Sequence, residues 1–226
     1  MKYYNVKVKI ILKEPLQDIE TYEKISNLIS QAMLKDESLK EIHEKNMYKN
    51  YVFCNLYPIE KDAKYKRNKI YSFDVRGIEF EKMIKIKQVL NNLENKYFKV
   101  IKINFQTSEQ RKITKLITLT PAIITTEKGD FDIKNNLEFV KNRILSNTQK
   151  KYQNIYKTKI EINFVKELKK TNEKPFKIPY KNIHMLGNKF EIYVEEDQLS
   201  QQLAYLALSI GILEKNSLGF GFCIAN

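Results

Sequence analysis

The sequence predicts an α+β protein that uses one order of elements, strand–helix–strand–strand–helix–strand, twice along 226 residues. Short apolar runs alternate with a period of two residues, which is typical of half-buried strands. Between them lie apolar stripes with the 3.6-residue period of a helix. Because the same order of patterns recurs, we expect two tandem ferredoxin-like (βαββαβ) domains, 1–106 and 113–226, joined by the polar stretch 106–112.

The first half supplies a complete βαββαβ order. Val6, Val8, Ile10 and Leu12 alternate with mostly polar neighbours, which indicates a strand with one buried face. A charged loop separates the second strand from the third. The predicted elements are a strand at 3–12, a helix around 25–33, strands at 51–58 and 69–77, a helix around 80–93 and a strand at 100–105.

The second half repeats this order, and the segments 174–186 and 188–196 supply a strand or hairpin. The first strand is expected to end at Pro121. The predicted elements are a strand at 115–123, a helix around 137–145, a strand at 159–165, a strand or hairpin at 174–186, a strand at 188–196, a helix around 199–210 and a strand at 216–225.

A basic surface is the strongest compositional feature. Forty Lys and Arg residues stand against 27 Asp and Glu, a net charge of +13. Between Lys150 and Phe190 lie 11 lysines and 3 glutamates, so this segment alone carries +8. Such a surface suits a polyanion, with nucleic acid as the first candidate. The alternative is the lysine excess of an AT-biased genome, which would spread evenly along the chain.

The apolar segments are too short for a membrane protein, because none approaches the roughly 20 residues that span a bilayer. The N-terminal segment alternates and does not resemble a signal peptide. We therefore expect a cytoplasmic protein with no membrane partner. Cys54 and Cys223 form no CxxC pair, and only His43 and His184 could join them. We expect reduced thiols, no metal site and no cofactor.

Glycines cluster near the C-terminus, in Gly219-Phe220-Gly221 and in the earlier Gly211. Glycine weakens the interior of a strand, so these positions need a reason. One reason is a β-bulge or tight packing, and the other is close approach of the backbone to an anion such as phosphate beside Lys215. The residues alone leave both open. The helix-to-strand order excludes a P-loop and a dinucleotide-binding fingerprint.

This stretch resembles the C-terminal glycine-rich loop of the CRISPR-associated repeat-processing endoribonucleases, the sixth Cas family of the repeat-associated RNA-binding superfamily. Gly211, Gly219 and Gly221 match the pattern G-x-G, five residues, G-x-G, whereas Leu213 stands where the second glycine is usual. The paired domains, the length and the L-T-P-A-I strand extend the resemblance along the chain. It implies a metal-independent endoribonuclease that cuts precursor CRISPR RNA within its repeats, leaving a 5′-hydroxyl and a 2′,3′-cyclic phosphate.

The resemblance also implies catalytic side chains within residues 42–58. His43 takes the position of the family's histidine, and an imidazole can act as acid or base near neutral pH. Lys49 takes the position of a partner lysine that stabilises the phosphate charge, with Lys45 as its competitor. Tyr48 is a candidate for orienting the phosphate or a hydroxyl. The alternative for His43 is a solvated histidine in a polar turn.

The RNA is expected to contact the glycine-rich loop and the basic stretch near it, whereas His184 is expected in a hairpin. The rival hypothesis is a non-catalytic subunit that binds repeat RNA. A type I interference complex is a further candidate partner, and both a monomer and a homodimer are open. The predicted RNA-binding residues are Gly211, Lys215, Asn216, Ser217, Gly219, Gly221, Arg143, Lys151, Lys157 and Lys159.

Overall fold

The computed structural model describes residues 1–45, 47–126, 129–130 and 136–226. A 3₁₀ turn at Asp18–Glu20 precedes the first α-helix. The elements of the first half are β1 Lys2–Leu12, β2 Leu16–Gln17, α1 Thr21–Met33, α2 Glu37–Glu44, β3 Tyr51–Phe53, β4 Lys64–Tyr65, β5 Ile70–Gly77, α3 Phe80–Leu90 and β6 Phe98–Glu109.

One four-stranded antiparallel sheet organises the first half, in the order β3-β5-β1-β6. β1 lies inside this sheet and pairs with β5 and β6 on either side. Its alternating side chains Val6, Val8 and Ile10 are fully buried and belong to the core that α1 and α3 complete. This strand order, with the helices on one face, is the ferredoxin-like arrangement.

The second half contains the longest helix and a hairpin. A 3₁₀ turn at Asn216–Leu218 precedes the last strand. The elements are β7 Lys115–Thr118, β8 Ala122–Ile123, β9 Thr125–Thr126, β10 Gly129–Asp130, α4 Leu137–Tyr156, β11 Val165–Lys170, β12 Phe176–Tyr180, β13 Ile183–Asn188, β14 Phe190–Val194, α5 Gln198–Ile210 and β15 Cys223–Ala225.

The second sheet repeats the strand order of the first, as β11-β14-β7-β15. Its core contains Val140 and Ile144 of α4 together with Leu203 and Ala207 of α5. The predicted fold class, two tandem ferredoxin-like units of an α+β protein, is therefore confirmed. Within the described residues, no helix combines the length and apolar character needed to cross a membrane.

Two predicted strands have the wrong boundaries. The strand expected at 115–123 divides around Pro121, so that β7 stays in the main sheet and β8 pairs with β13 of the hairpin. The strand expected at 159–165 begins only at Val165. Ile160 and Phe164 alternate in burial, but the carbonyl of Ile162 accepts a hydrogen bond from the Gln149 side chain of α4 instead of a strand.

The ends of other predicted strands also shift. The strand expected at 51–58 is regular only over β3, and the strand expected at 216–225 is regular only over β15. Gly219 and Gly221 consequently lie in a loop ahead of the strand and not inside it. β6 continues to Glu109, well into the stretch 106–112 that was expected to link the domains.

The two units are held together by polar and aromatic contacts. Arg76 of β5 is buried and donates to the carbonyls of Leu208 and Cys223, at 2.8 and 2.9 Å. Its guanidinium lies 4.1 Å from the centre of the Phe222 ring, a cation–π contact. These bonds hold the end of α5 and the start of β15 against the first sheet. Both cysteines are free thiols, and Cys223 is buried.

Candidate nucleic-acid interface

A cavity of about 610 Å³ opens between the two units. One wall is formed by described residues of the segment 45–51, which connects α2 with β3. The other wall is formed by one face of α4, by Thr125 and by residues of the segment 210–218, which begins at the last residue of α5. Because each unit contributes one wall, the cavity depends on the packing of the two units.

The cavity is strongly basic. The described lining contains six Lys or Arg side chains and a single carboxylate, and a low-dielectric wall strengthens the field of such a cluster. Arg143 is the cation paired with that carboxylate, with 2.8 Å between its Nε and Oε1 of Glu214. The arrangement suits a polyanion better than a neutral ligand. The charged lining residues are Lys45, Lys49, Arg143, Lys150, Lys151, Lys215 and Glu214.

One face of α4 carries most of the polar lining. Arg143, Ser146, Asn147, Lys150 and Lys151 are spaced at i, i+3, i+4, i+7 and i+8, so their side chains share one side of the helix. The sequence analysis missed Ser146 and Asn147. The sequence signal for them was the helical spacing of these polar residues. Taken alone, that spacing is typical of the solvent-exposed face of an amphipathic helix.

Lys151 has a structural role that the sequence did not predict. Its side chain is 3% exposed, and its ammonium donates to the carbonyls of Gly211 and Leu213 and to Oδ1 of Asn216, at 2.9, 2.8 and 2.6 Å. These three bonds use every donor of the ammonium. Burial lowers its pKa to about 7, against the smaller opposing effects of Cys223 and Glu214. In this conformation the ammonium has no N–H group left for a phosphate, so Lys151 supports the loop, and the RNA contact predicted for it stays a prediction.

Asn216 completes the same support of the glycine-rich loop. Its Nδ2 donates to the carbonyls of Ile212 and Phe220, at 2.8 and 2.9 Å, while its Oδ1 accepts from Lys151. The predicted RNA-binding residues of the loop thus divide into two groups. Asn216 and the glycines shape the loop, whereas Lys215 and Ser217 have no part in that support and line the cavity beside Asn216, where Lys215 is exposed.

The glycines allow close contacts within the protein. Gly219 has φ of +93°, and a Cβ there would lie 2.4 Å from Cε2 of the buried Phe53 in the first unit. Gly221 has φ of +71°, and its Cβ would lie 2.2 Å from the carbonyl oxygen of Ile212. Of the two explanations open from sequence, these contacts support tight packing.

Gly221→Ala is expected to lower the free energy of unfolding by about 3 kcal/mol or more, because the left-handed backbone and a clash with a backbone oxygen add up. Chemical denaturation monitored by circular dichroism measures the loss. Ser217→Ala in the same loop is the control and is expected to stay within about 0.5 kcal/mol of wild type. Equal stability of both variants would contradict the packing role of Gly221.

The proposed catalytic segment adjoins the cavity. His43 lies half-buried in the last turn of α2 and is outside the described cavity lining. Tyr48 and Lys49 both line the cavity. The Lys49 ammonium donates to the carbonyls of Ile42, His43 and Lys45, so it caps the C-terminus of α2. Burial, and then the charge of Lys82, lowers the pKa of Lys49.

The remaining predicted residues lie elsewhere. Lys157 ends α4, and Lys159 is exposed and paired with Glu161. Both lie beyond the described cavity lining, with Lys157 six residues past Lys151, or about 9 Å further if the helical rise continued. His184 is exposed on β13, opposite Pro179 of β12, in the hairpin where the sequence placed it.

Fold and site together define a class of protein: two tandem ferredoxin-like units that share a basic cavity bordered by a glycine-rich loop. The sequence model of the family described as "CRISPR associated protein Cas6, C-terminal" matches residues 104–224, more than half of the chain. The chain therefore belongs to the CRISPR-associated Cas6 family, and the family predicted from the loop is confirmed. The comparison with curated proteins finds no match.

Solved structures share the fold over the full chain. A structure described as CRISPR associated protein Cas6 has a TM-score of 0.73 at 19% identity, with 99% of both chains covered. The product of a Cas6-related gene from Pyrococcus furiosus has a TM-score of 0.72 at 17% identity, covering 99% of this chain and 98% of that one. A RAMP protein described as binding different RNA substrates has a TM-score of 0.79 at 14% identity, with 99% of both covered. At these identities the likeness concerns the fold.

Proposed function

We propose that this protein is a metal-independent endoribonuclease that cleaves precursor CRISPR RNA within its repeats. The observation that carries the proposal is the basic cavity, whose walls are the segment next to His43 and the glycine-rich loop of a Cas6-family chain. The similar structures include a Cas6 protein described as a product complex, with a TM-score of 0.67 at 12% identity. RNA supplies its own nucleophile, so the protein needs only to move protons and stabilise charge.

The reaction requires a balanced transfer at phosphorus. The 2′-hydroxyl oxygen attacks the adjacent phosphate as its proton is removed, the O2′–P bond forms, and the P–O5′ bond breaks as O5′ takes up a proton. The products are a 2′,3′-cyclic phosphate and a 5′-hydroxyl. We assign one of these proton transfers to the His43 imidazole. Tyr48, exposed in the cavity, is assigned to orient the phosphate or the hydroxyl.

Lys49 and the exposed lysines share the stabilisation of the phosphate. Because the Lys49 ammonium already donates to three carbonyls, its contribution is a nearby positive charge and a fixed end of α2. Direct contacts with phosphate oxygens are assigned to Lys150 and Lys215, which are exposed in the cavity, with Lys45 beside them. Lys157 and Lys159 would extend this binding surface past the end of α4.

A second function is favoured by one specific observation. His43 is outside the described cavity lining, as expected if the protein binds repeat RNA without cutting it. This non-catalytic subunit would use the same basic cavity. For both functions we propose a cytoplasmic protein that acts as a monomer or homodimer and delivers RNA to a type I interference complex.

One experiment separates the two functions. Purified protein is incubated, in EDTA, with the repeat RNA of the host's own array and with the same RNA carrying one 2′-deoxy nucleotide at the cut site. We expect one cut in the first RNA and none in the second. Tight binding of both RNAs without a cut supports the non-catalytic subunit. Equal affinity for a scrambled RNA contradicts both functions.

A further inference from the structure

Asn147 is an unusual member of the cavity lining. It lies on α4 between Arg143 and Lys151, one turn from each, and its side chain is 6% exposed. Its Oδ1 is buried and has no hydrogen-bond partner within the described residues. An unpaired buried carbonyl oxygen costs about 1–3 kcal/mol of stability, so such atoms are rare in folded proteins.

The neighbouring cations on α4 bond to groups other than Asn147. Lys151, one turn away, gives its three N–H groups to Gly211, Leu213 and Asn216. Arg143, one turn before, donates from Nε to Glu214 and from Nη2 to the carbonyl of Thr125, at 2.8 and 3.2 Å. The two cations one turn from Asn147 thus bond to other groups, and neither donates to its oxygen.

The chemistry of the missing partner follows from the atom. Oδ1 only accepts hydrogen bonds, and ionised phosphate oxygens also only accept, so Oδ1 cannot bind the RNA backbone phosphates. In a nucleotide, the donors are the 2′-hydroxyl and the N–H groups of the base, and these groups distinguish RNA from DNA and one base from another. The lysines and Arg143 suit the phosphates, and Asn147 suits a donor on the same nucleotide or its neighbour.

We propose that Asn147 is a specificity-determining residue, whose Oδ1 accepts a hydrogen bond from the sugar or base of a nucleotide held in the basic cavity. The inference rests on the proposed function, since it requires RNA in that cavity. The unpaired oxygen of the free protein is then the position that the ligand completes.

This proposal predicts opposite effects of one substitution on stability and on binding. Asn147→Leu keeps the branched shape of the side chain and removes the unpaired acceptor, so the free protein should gain about 2–4 °C in Tm. The same variant loses the bond to RNA and should bind repeat RNA about 3- to 10-fold more weakly. A residue with only a structural role would not separate the two effects.

Thr148 provides the matched control. It is adjacent on α4, 1% exposed, and its Oγ1 is also buried without a hydrogen-bond partner within the described part of the chain. It lies outside the described lining of the cavity. Thr148→Val should therefore raise Tm in the same way and leave the RNA affinity within about twofold of wild type.

The experiment measures Tm of the free variants and their affinity for a fluorescein-labelled repeat RNA and for DNA of the same sequence. His43→Ala is present in every protein so that the RNA stays intact. If the 2′-hydroxyl is the donor, Asn147→Leu weakens binding of RNA but not of DNA, and if a base is the donor, it weakens both.

The inference is overturned if Asn147→Leu binds RNA as tightly as its parent, the His43→Ala protein. It is also overturned if Asn147→Leu lowers both Tm and RNA affinity, because the side chain then has a structural role. A parent that does not prefer repeat RNA over scrambled RNA contradicts the proposed function, and the inference then fails with it. If the parent prefers repeat RNA and Asn147→Leu does not change the affinity, only the inference is contradicted.

Discussion

His43→Ala is expected to slow cleavage of repeat RNA about 10²- to 10⁴-fold, the size of a general acid–base contribution. RNA affinity should change less than twofold, since the cations of the cavity are untouched. α2 should survive the change, because alanine favours helix and the Asp36 side chain still accepts from the Leu39 N–H at the N-cap. Single-turnover cleavage and equilibrium binding of the same RNA give the two numbers.

The chain's other histidine is the matched control. His184 is exposed on β13 and lies outside the described cavity lining, so His184→Ala should cleave and bind like wild type. If His43→Ala cleaves as fast as His184→Ala, the assignment of His43 is wrong, and the search for the acid or base moves to the cavity, beginning with Tyr48. If wild type, His43→Ala and His184→Ala all bind without cutting, the protein is the non-catalytic subunit.

Lys151→Met is expected to lower the free energy of unfolding by about 3 kcal/mol. Methionine fills a similar volume, but the carbonyls of Gly211 and Leu213 and Oδ1 of Asn216 lose their shared donor and stay buried. The glycine-rich loop should loosen, and RNA affinity should fall as a consequence. Denaturant unfolding measures the loss of stability, and hydrogen exchange of amides in residues 211–221 shows whether the loop has loosened.

Lys150→Met, one residue away, is the control with the reverse expectation. Lys150 is exposed in the cavity, so its loss should leave the free energy of unfolding within about 0.5 kcal/mol of wild type. The variant should bind RNA more weakly, and its affinity should depend less steeply on salt concentration. Equal loss of stability in both variants would contradict the role of Lys151 as the support of the loop.

Stability should also depend on pH through Lys151. Burial lowers the pKa of its ammonium to about 7, below the ordinary value of 10.5, so between these values the unfolded chain holds a proton that the folded protein has released. The free energy of unfolding therefore rises with pH in this window, by at most about 1.4 kcal/mol per unit. Unfolding at pH 7 to 9.5 should show a steeper rise in wild type than in Lys151→Met, because the lowered pKa values of Lys49 and Lys189 contribute a rise to both proteins. The same slope in both proteins would mean that the lysine stays charged.

Much of the fold could be predicted because it depends on local patterns. The alternation in β1 and the apolar stripe of α1 record which face of each element is buried, and burial of a face has a fixed period. The hairpin around His184 was expected for the same reason. The glycine-rich loop was recognisable because left-handed backbone and close contacts restrict its positions to glycine.

The site could be predicted only in part. The segments that form the cavity were identified, including the loop, the surroundings of Lys49 and the start of the basic stretch. Ser146 and Asn147 were missed, because their only signal is a helical spacing of polar residues, and the same spacing is typical of a solvent-exposed face. Lys151 was predicted to bind RNA and its support of the loop was missed, because lysine is rarely buried.

The sequence by itself determined that the chain forms two βαββαβ units and belongs to the Cas6 family. Tertiary structure alone decided that Lys151 is buried and bonds to carbonyls while Lys150 faces the cavity, since the partners of Lys151 lie 60 or more positions away, such as Gly211. It also decided that Gly219 packs against Phe53 of the other unit. Periodicity reports the burial of a face, whereas the partner of a buried polar group is set by packing between units.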